Sequence, residues 1–223
     1  MSIYAFGDIH GELFKLEELM KKVHPSKVDQ LIFLGDYTDR GPRSYEVIEF
    51  LIQLNKNFDC VFIKGNHELM FMNYLSGLDE NMFLFNGGKI TLNSYLKHGV
   101  NLSKDYVPKR NLPKKHFYFY NSLKLYYETE DFIFTHAGIN TKVSLQEQDE
   151  WSLLWSKDFD HIEYSGKTVV YGHNPSIKIL NEPSKICLDT GSCYDDMGVL
   201  SCMKLPERTV YQQSFTLRDL GGD

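Results

Sequence analysis

Short apolar runs followed by polar, glycine-bearing turns recur three times in the first third of the chain. Ile3–Phe6 leads into Gly7-Asp8-Ile9-His10-Gly11 and then a segment carrying Leu13, Leu16, Leu19, Met20 and Val23 at helical spacing. Leu31–Leu34 leads into Gly35-Asp36-Tyr37-Thr38-Asp39-Arg40-Gly41. A helix from Pro42 follows, where the missing N–H of proline is no loss, with Val47, Ile48, Leu51 and Leu54 on its apolar face. Cys60–Ile63 leads into Gly65-Asn66-His67-Glu68 and a helical run Leu69–Leu75. Strands alternating with helices predict βαβ units and parallel pairing. Ligands of such sheets sit beyond the carboxyl ends of the strands, where all three polar turns fall.

From about residue 76 to 122 this rhythm is lost. Glycines and prolines break short helical pieces, and the segment reads as a cap-like excursion within a single domain spanning 1–223. Strand patterns return at Leu125–Thr129, Phe132–Thr135, Thr168–Tyr171, Ile186–Leu188, Val199–Leu205 and Thr209–Ser214. Trp151–Trp155 reads as a short apolar helix or turn, and Arg218 to Asp223 as a frayed tail.

Composition narrows the classes further. The 223 residues are 42% hydrophobic and 24% charged, which fits an ordinary globular chain and excludes disorder or coiled coil as the main state. A net charge of −6 disfavours nucleic acid and anionic membranes as partners of the surface as a whole. The basic and aromatic stretch Lys104 to Tyr120 is better read as a local positive surface than as a nucleic-acid grip. No apolar run approaches the roughly 18 residues of a membrane span. Cys60, Cys187, Cys193 and Cys202 are irregularly spaced, and no export signal is seen. Four reduced thiols in a cytoplasmic protein are therefore expected.

The strand ends concentrate ligand-type side chains: Asp8 and His10; Asp36, Asp39 and Arg40; Asn66, His67 and Glu68; then His136 after Thr135 and His173 after Gly172. His24, His98, His116 and His161 lie in no such setting and read as surface or satisfied core residues. Asp, His and Asn without thiolates suit Mn, Fe, Zn or Co at a reactive centre rather than a structural zinc site. One carboxylate can bridge two cations that clamp a phosphoryl group between them.

GDIHG (7–11), GDYTDRG (35–41) and GNHE (65–68) resemble the three signatures of the calcineurin-like metallophosphoesterases, in particular their phosphoprotein phosphatase branch of bacterial and phage type. Asp8 and Asp36 stand 28 residues apart and Asn66 follows 30 later, a spacing similar to the family's. THAG (135–138), LLWSKDF (153–159), YGHNP (171–175) and LDTG (188–191) resemble its later motifs, and FNGGKITLNSY (85–95) its compact members. The resemblance implies a four-layer α-β-β-α sandwich with two central mixed sheets.

It also implies a centre of two divalent cations, Mn foremost and Fe, Zn, Co or Ni as substitutes. Asp8 and His10 would bind the first, Asp36 would bridge, and Asn66, His136 and His173 would complete the second. His67 would be the general acid, oriented by Asp39, with Arg40 and Asn66 on phosphate oxygens. Glu68 and Asp189 would support loops. Lys64 and Lys157 stand where the family often has Arg; both keep a charge for phosphate but lose the planar fork. The activity implied is direct hydrolysis of phosphoserine or phosphothreonine, with phosphotyrosine a further substrate, by water that the cations activate. Symmetrical dinucleoside tetraphosphatases share the motifs and, with hydrolysis of another small nucleotide, form the alternative, which needs stacking aromatics near the metals; Tyr37, Tyr74 and Tyr194 are the candidates. A scaffold that binds a phosphorylated partner without catalysis is the third reading, disfavoured because every ligand position is filled. Oligomeric state and regulation are not legible.

Overall fold

The computed structural model describes residues 1–103, 111–157, 164, 166–194 and 198–214. The frayed-tail expectation, His161, and part of the Lys104 to Tyr120 and LLWSKDF stretches lie outside these residues. Among the described residues ten strands run in chain order: β1 (Ile3–Phe6), β2 (Gln30–Phe33), β3 (Asp59–Phe62), β4 (Tyr126–Glu128), β5 (Phe132–Thr135), β6 (Thr168–Tyr171), β7 (Leu180–Asn181), β8 (Lys185–Cys187), β9 (Val199–Leu205) and β10 (Thr209–Ser214). They form two five-stranded mixed sheets, ordered β10-β9-β1-β2-β3 and β4-β5-β6-β8-β7. In the first, β1, β2 and β3 are parallel, with Ile3 opposite Gln30 and Gln30 opposite Asp59. In the second, β5, β6 and β8 are parallel.

Side-chain alternation along each strand divides the interior into layers, because successive residues face opposite sides of a sheet. Ala5, Ile32, Leu34, Phe132, Phe134, Val170 and Ile186 meet between the sheets. Their neighbours Tyr4, Phe6, Leu31 and Phe33 face the helices instead. Ile133, Val169 and Tyr171 face the far side of the second sheet, under Ile139, Leu145 and Tyr164. Each fully buried apolar side chain contributes about 1.5–3 kcal/mol, so the faces lock the register of strands that carry the site.

The helical layer comprises α1 (Leu13–Val23), α2 (Ser44–Leu54), α3 (Asn66–Leu75), α4 (Glu80–Phe83), α5 (Lys89–Lys97) and α6 (Lys114–Ser122); α7 (Glu150–Trp155) follows the second sheet's β5. Leu13, Leu16, Leu19 and Val23 of α1 are buried as their spacing predicts. Helix α3 begins at Asn66, three residues before the expected Leu69, because Glu68 folds back to accept the backbone N–H of the N-cap residue Gly65 at 3.0 Å. The aromatic residues 117–120 lie on the helix α6, with Phe119 and Tyr120 in the core. The excursion packs on the same core as α1 and α2 through Phe83, Tyr95, Phe119 and Tyr120. His116 is a satisfied core histidine between Tyr95 Oη (2.8 Å) and Glu49 Oε1 (2.7 Å). All four cysteines are free thiols. Among the described residues no helix is long and apolar enough to cross a membrane.

Candidate metal centre

The loops after β1, β2, β3, β5 and β6 converge, bringing ligand-type residues from both sheets to one point. Asp36 lies between two groups, His10–Asp36–His67 and Asp36–His136–His173. Its Oδ2 is 3.5 Å from His10 Nε2 and 3.8 Å from His67 Nε2, while its Oδ1 is 3.4 Å from His136 Nε2. On the Oδ1 side, Asn66 Oδ1, His136 Nε2 and His173 Nδ1 lie 2.9–3.2 Å from one another.

The donor chemistry fits a cation there. A carbonyl oxygen only accepts, so His136 Nδ1 must donate to Leu34 O at 2.8 Å. Burial keeps that imidazole neutral by pushing its pKa down, and its Nε2 therefore presents a lone pair to Asn66 Oδ1. Burial, reinforced by His136, also lowers His173 to about 4. With His173 Nδ1 in the unprotonated tautomer as well, the three lone pairs at hydrogen-bond distance would be satisfied by a shared positive ion. His10 is built alike: Nδ1 donates to Thr38 O at 2.9 Å, and burial with the charge of His67 pushes its pKa well down. Backbone carbonyls thus set the tautomers of two imidazoles so that Nε2 faces the centre.

Burial alone would raise the Asp36 carboxyl, but His136, His67, His10 and His173 together hold it below the usual carboxylate range. Asp8 behaves in the opposite way, raised by burial and by the charges of Asp189 and Asp36. Its carboxylate stands outside both groups and accepts from His173 N at 3.0 Å. Asp189, at the end of β8, is pushed up to about 6 chiefly by burial. Three buried acids in one pocket are a further reason for positive charge at this point.

The loops are held under strain. His10, Asp36, Asp39, Arg40 and His173 all have φ between 48° and 70°, a region that costs non-glycine residues free energy and collects at functional sites. Glu68 over-determines the Asp36 turn: Oε2 accepts from Asp36 N (2.8 Å) and Gly65 N (3.0 Å), and Oε1 from Tyr37 N (2.9 Å). A Cβ at Gly65 would fall on Asp36 Oδ1, so only glycine lets the backbone pass.

His67 and Asp39 form a buried pair, Nδ1 to Oδ2 at 2.7 Å. Burial favours the neutral imidazole, but Asp36 and Asp39 outweigh it and raise the His67 pKa. Asp39's other oxygen accepts from Thr91 Oγ1 at 2.6 Å, while Asp39 N donates to the same hydroxyl at 2.9 Å. Arg40 spans the space above, Nη1 2.9 Å from His10 Nε2 and Nη2 3.1 Å from His67 Nε2. Its guanidinium lies 5.8 Å from the centre of the Tyr194 ring.

Of the two lysines expected at phosphate, Lys157 lies near enough for its charge to depress His173. Lys64 is not brought to the cluster: its backbone joins Lys124 beside β3, and its ammonium pairs with Glu150 at 3.1 Å. Of the stacking candidates, Tyr37 and Tyr74 are core residues and unavailable to a ligand, while Tyr194 is exposed beside Arg40. Sequence reasoning missed Thr91, whose FNGGKITLNSY stretch served only as a likeness to compact relatives. It also missed Trp155, whose ring centre lies 6.2 Å from that of His173.

Thr91→Val removes the hydroxyl that holds Asp39. We expect kcat on a poor leaving group such as phosphoserine to fall about tenfold, the scale of a lost buried hydrogen bond to a charged group. Thr91→Ser should restore it. Unchanged turnover in the valine variant would show that Thr91 does not position the pair.

The sequence profile of the calcineurin-like phosphoesterases matches residues 1–205, and the chain belongs to that family of divalent-metal-dependent phosphoric ester hydrolases. It is 27% identical, over 93% of its own length and 90% of the relative's, to the asymmetrical bis(5'-nucleosyl)-tetraphosphatase of Oceanobacillus iheyensis. It is 41% identical to serine/threonine-protein phosphatase 2 of Escherichia coli over 39% of this chain and 38% of that one. A crystal structure provisionally assigned to a diadenosine tetraphosphatase superposes with a TM-score of 0.72 at 18% identity, over 97% of this chain and 94% of the other.

Proposed function

We propose that the chain hydrolyses phosphate bonds with two divalent cations, and that its substrate is a dinucleoside tetraphosphate. The observation that carries the two-cation reading is Asp36, whose two oxygens face two separate imidazole groups at 3.5 and 3.4 Å. Asp8, His10 and Asp36 would hold one ion; Asp36, Asn66, His136 and His173 would hold the other. Bound there, the ions acidify water and neutralise phosphoryl charge. Mn suits this oxygen and nitrogen donor set.

The remaining steps belong to the chain. Arg40 presents two N–H groups side by side in the space between His10 and His67, a fork matched to two phosphoryl oxygens. Asn66, at the first turn of α3, and Lys157 add to that clamp. His67, aligned by Asp39, delivers a proton to the departing oxygen. The nucleotide reading draws support from the whole-length likeness to a tetraphosphatase and from Tyr194, exposed beside Arg40. A second reading, hydrolysis of phosphoserine or phosphothreonine in proteins, is favoured by the buried His67–Asp39 pair, because an alkoxide needs protonation more than a nucleotide leaving group does.

Metal stripping should abolish hydrolysis and Mn should restore it. At a hundred times its dissociation constant, one bound Mn should also stabilise the fold by about 2.7 kcal/mol, read as a rise in Tm. Activity that survives exhaustive chelation would refute the metal reading. The reconstituted protein is then compared on diadenosine tetraphosphate, a phosphoserine peptide and a phosphotyrosine peptide. A higher kcat/KM on the dinucleotide supports the first reading, with two ADP marking symmetrical cleavage and ATP plus AMP asymmetrical cleavage. A higher kcat/KM on a peptide reverses the order.

A further inference from the structure

Beside the centre lies an open groove of about 860 Å³, lined by Met82, Leu84, Phe85, Asn86, Lys89 and Trp155. Its chemistry is not used by the centre. Phe85 is 91% exposed and Met82 48%, two large apolar side chains held in water next to an aromatic wall. The chain geometry explains their exposure. After α4 the backbone kinks within Leu84–Gly88, where Asn86 and Gly87 leave helical angles.

Both walls of the groove end at the centre. On one side Gly87 backs onto Arg40, so closely that a Cβ would sit 2.9 Å from Arg40 N. On the other, the Trp155 ring stands nearly perpendicular to that of His173, 83° between planes and 6.2 Å between centres. A group extending from a phosphate at Arg40 therefore has this groove within its reach.

Three features in the groove point to one kind of occupant. Phe85 and Trp155 offer ring faces. Lys89 is an exposed cation without an ion pair among the described residues. Asn86 donates its amide N–H to Met82 O at 2.8 Å, which leaves its Oδ1 as an acceptor. An apolar peptide side chain would use only the rings. A nucleobase with its phosphates uses all three: stacking on a ring, an amide for an exocyclic amino group, and a cation for phosphate.

We infer that this groove is the nucleobase subsite of the enzyme, with Phe85 as the stacking residue and Trp155 as the wall shared with the metal centre. The inference rests on the nucleotide reading, and the two are tested separately. That reading stands or falls on the substrate comparison in the wild-type protein; the groove stands or falls on nucleotide affinity.

Trp151 and Trp155 are the two tryptophans of the chain, and Trp151 is 67% exposed, so Trp151→Phe makes Trp155 the sole reporter. The Mn-loaded Trp151→Phe protein is titrated with ADP, pyrophosphate and a phosphoserine peptide while Trp155 emission is followed. Saturable quenching by ADP is expected, with none by pyrophosphate. Adding Phe85→Ala should weaken ADP binding about tenfold or more, the scale of a lost base stack. kcat/KM on p-nitrophenyl phosphate, which has no base, should stay unchanged. Undiminished ADP affinity in Phe85→Ala would overturn the inference, as would equal quenching by pyrophosphate. Quenching by the phosphopeptide that Phe85→Ala abolishes would assign the groove to peptides instead and likewise overturn it.

Discussion

Asp36→Asn is expected to lower kcat by about a thousandfold or more while the fold remains intact. The amide can still accept the backbone N–H of His67, which Asp36 Oδ1 accepts at 3.1 Å. The turn also keeps its Glu68 bonds, which reach backbone rather than the Asp36 side chain. What is lost is the negative charge and the second acceptor facing the other imidazole group. A missing bridge between cations removes several kcal/mol of charge stabilisation at the reacting phosphoryl group, and about 4 kcal/mol corresponds to three decades in rate. Circular dichroism checks the fold, elemental analysis the bound metal, and steady-state kinetics the rate. Near-normal turnover with two retained ions per chain would refute the bridging role.

His67→Asn should separate substrates by leaving group. Removal of a general acid costs about a hundredfold to ten-thousandfold when the departing oxygen needs a proton in the transition state. Phosphoserine should suffer this loss, whereas p-nitrophenyl phosphate, whose phenolate leaves readily, should fall only a few-fold. An equal loss for both would show that His67 binds rather than protonates. The Asp39 partnership gives a pH signature of known sign. As a general acid His67 would have to be protonated to act, so activity on phosphoserine is expected to decline as pH rises through its pKa. Burial works against that protonated form, while the charges of Asp36 and Asp39 favour it and prevail. Asp39→Asn removes one of those charges, so the alkaline limb should move to lower pH. An unmoved limb would place the titration on another group.

The local parts of this picture were legible in the chain. A strand four residues long followed by a polar glycine turn is a short-range event. Ile3–Phe6, Phe132–Thr135 and Thr168–Tyr171 were accordingly readable residue for residue. Asp8, His10, Asp36, Asn66, His136 and His173 stand at or just beyond strand ends, so alternating pattern and βαβ logic already placed them along one edge. The helix start at Asn66 was less legible, because Asn66 and His67 are polar and the capping that draws them into α3 comes from Glu68 folding back.

Tertiary structure decided what depends on distant segments meeting. Thr91 holds Asp39 across 52 positions of sequence, and no periodicity relates the two. Lys64 looked like a phosphate ligand from its place in a motif, but packing beside β3 turned it to Glu150, 86 positions away. Tyr37, one residue beyond Asp36, is drawn into the core, where its hydroxyl donates to Ile63 O at 2.6 Å. The sequence by itself therefore determined which side chains are offered at the candidate site, because strand ends and turns are coded by neighbours. Only the folded structure decided which of them share a point, which tautomer each imidazole presents and which groove adjoins them. Those follow from the packing of two sheets and an excursion whose residues are dozens of positions apart.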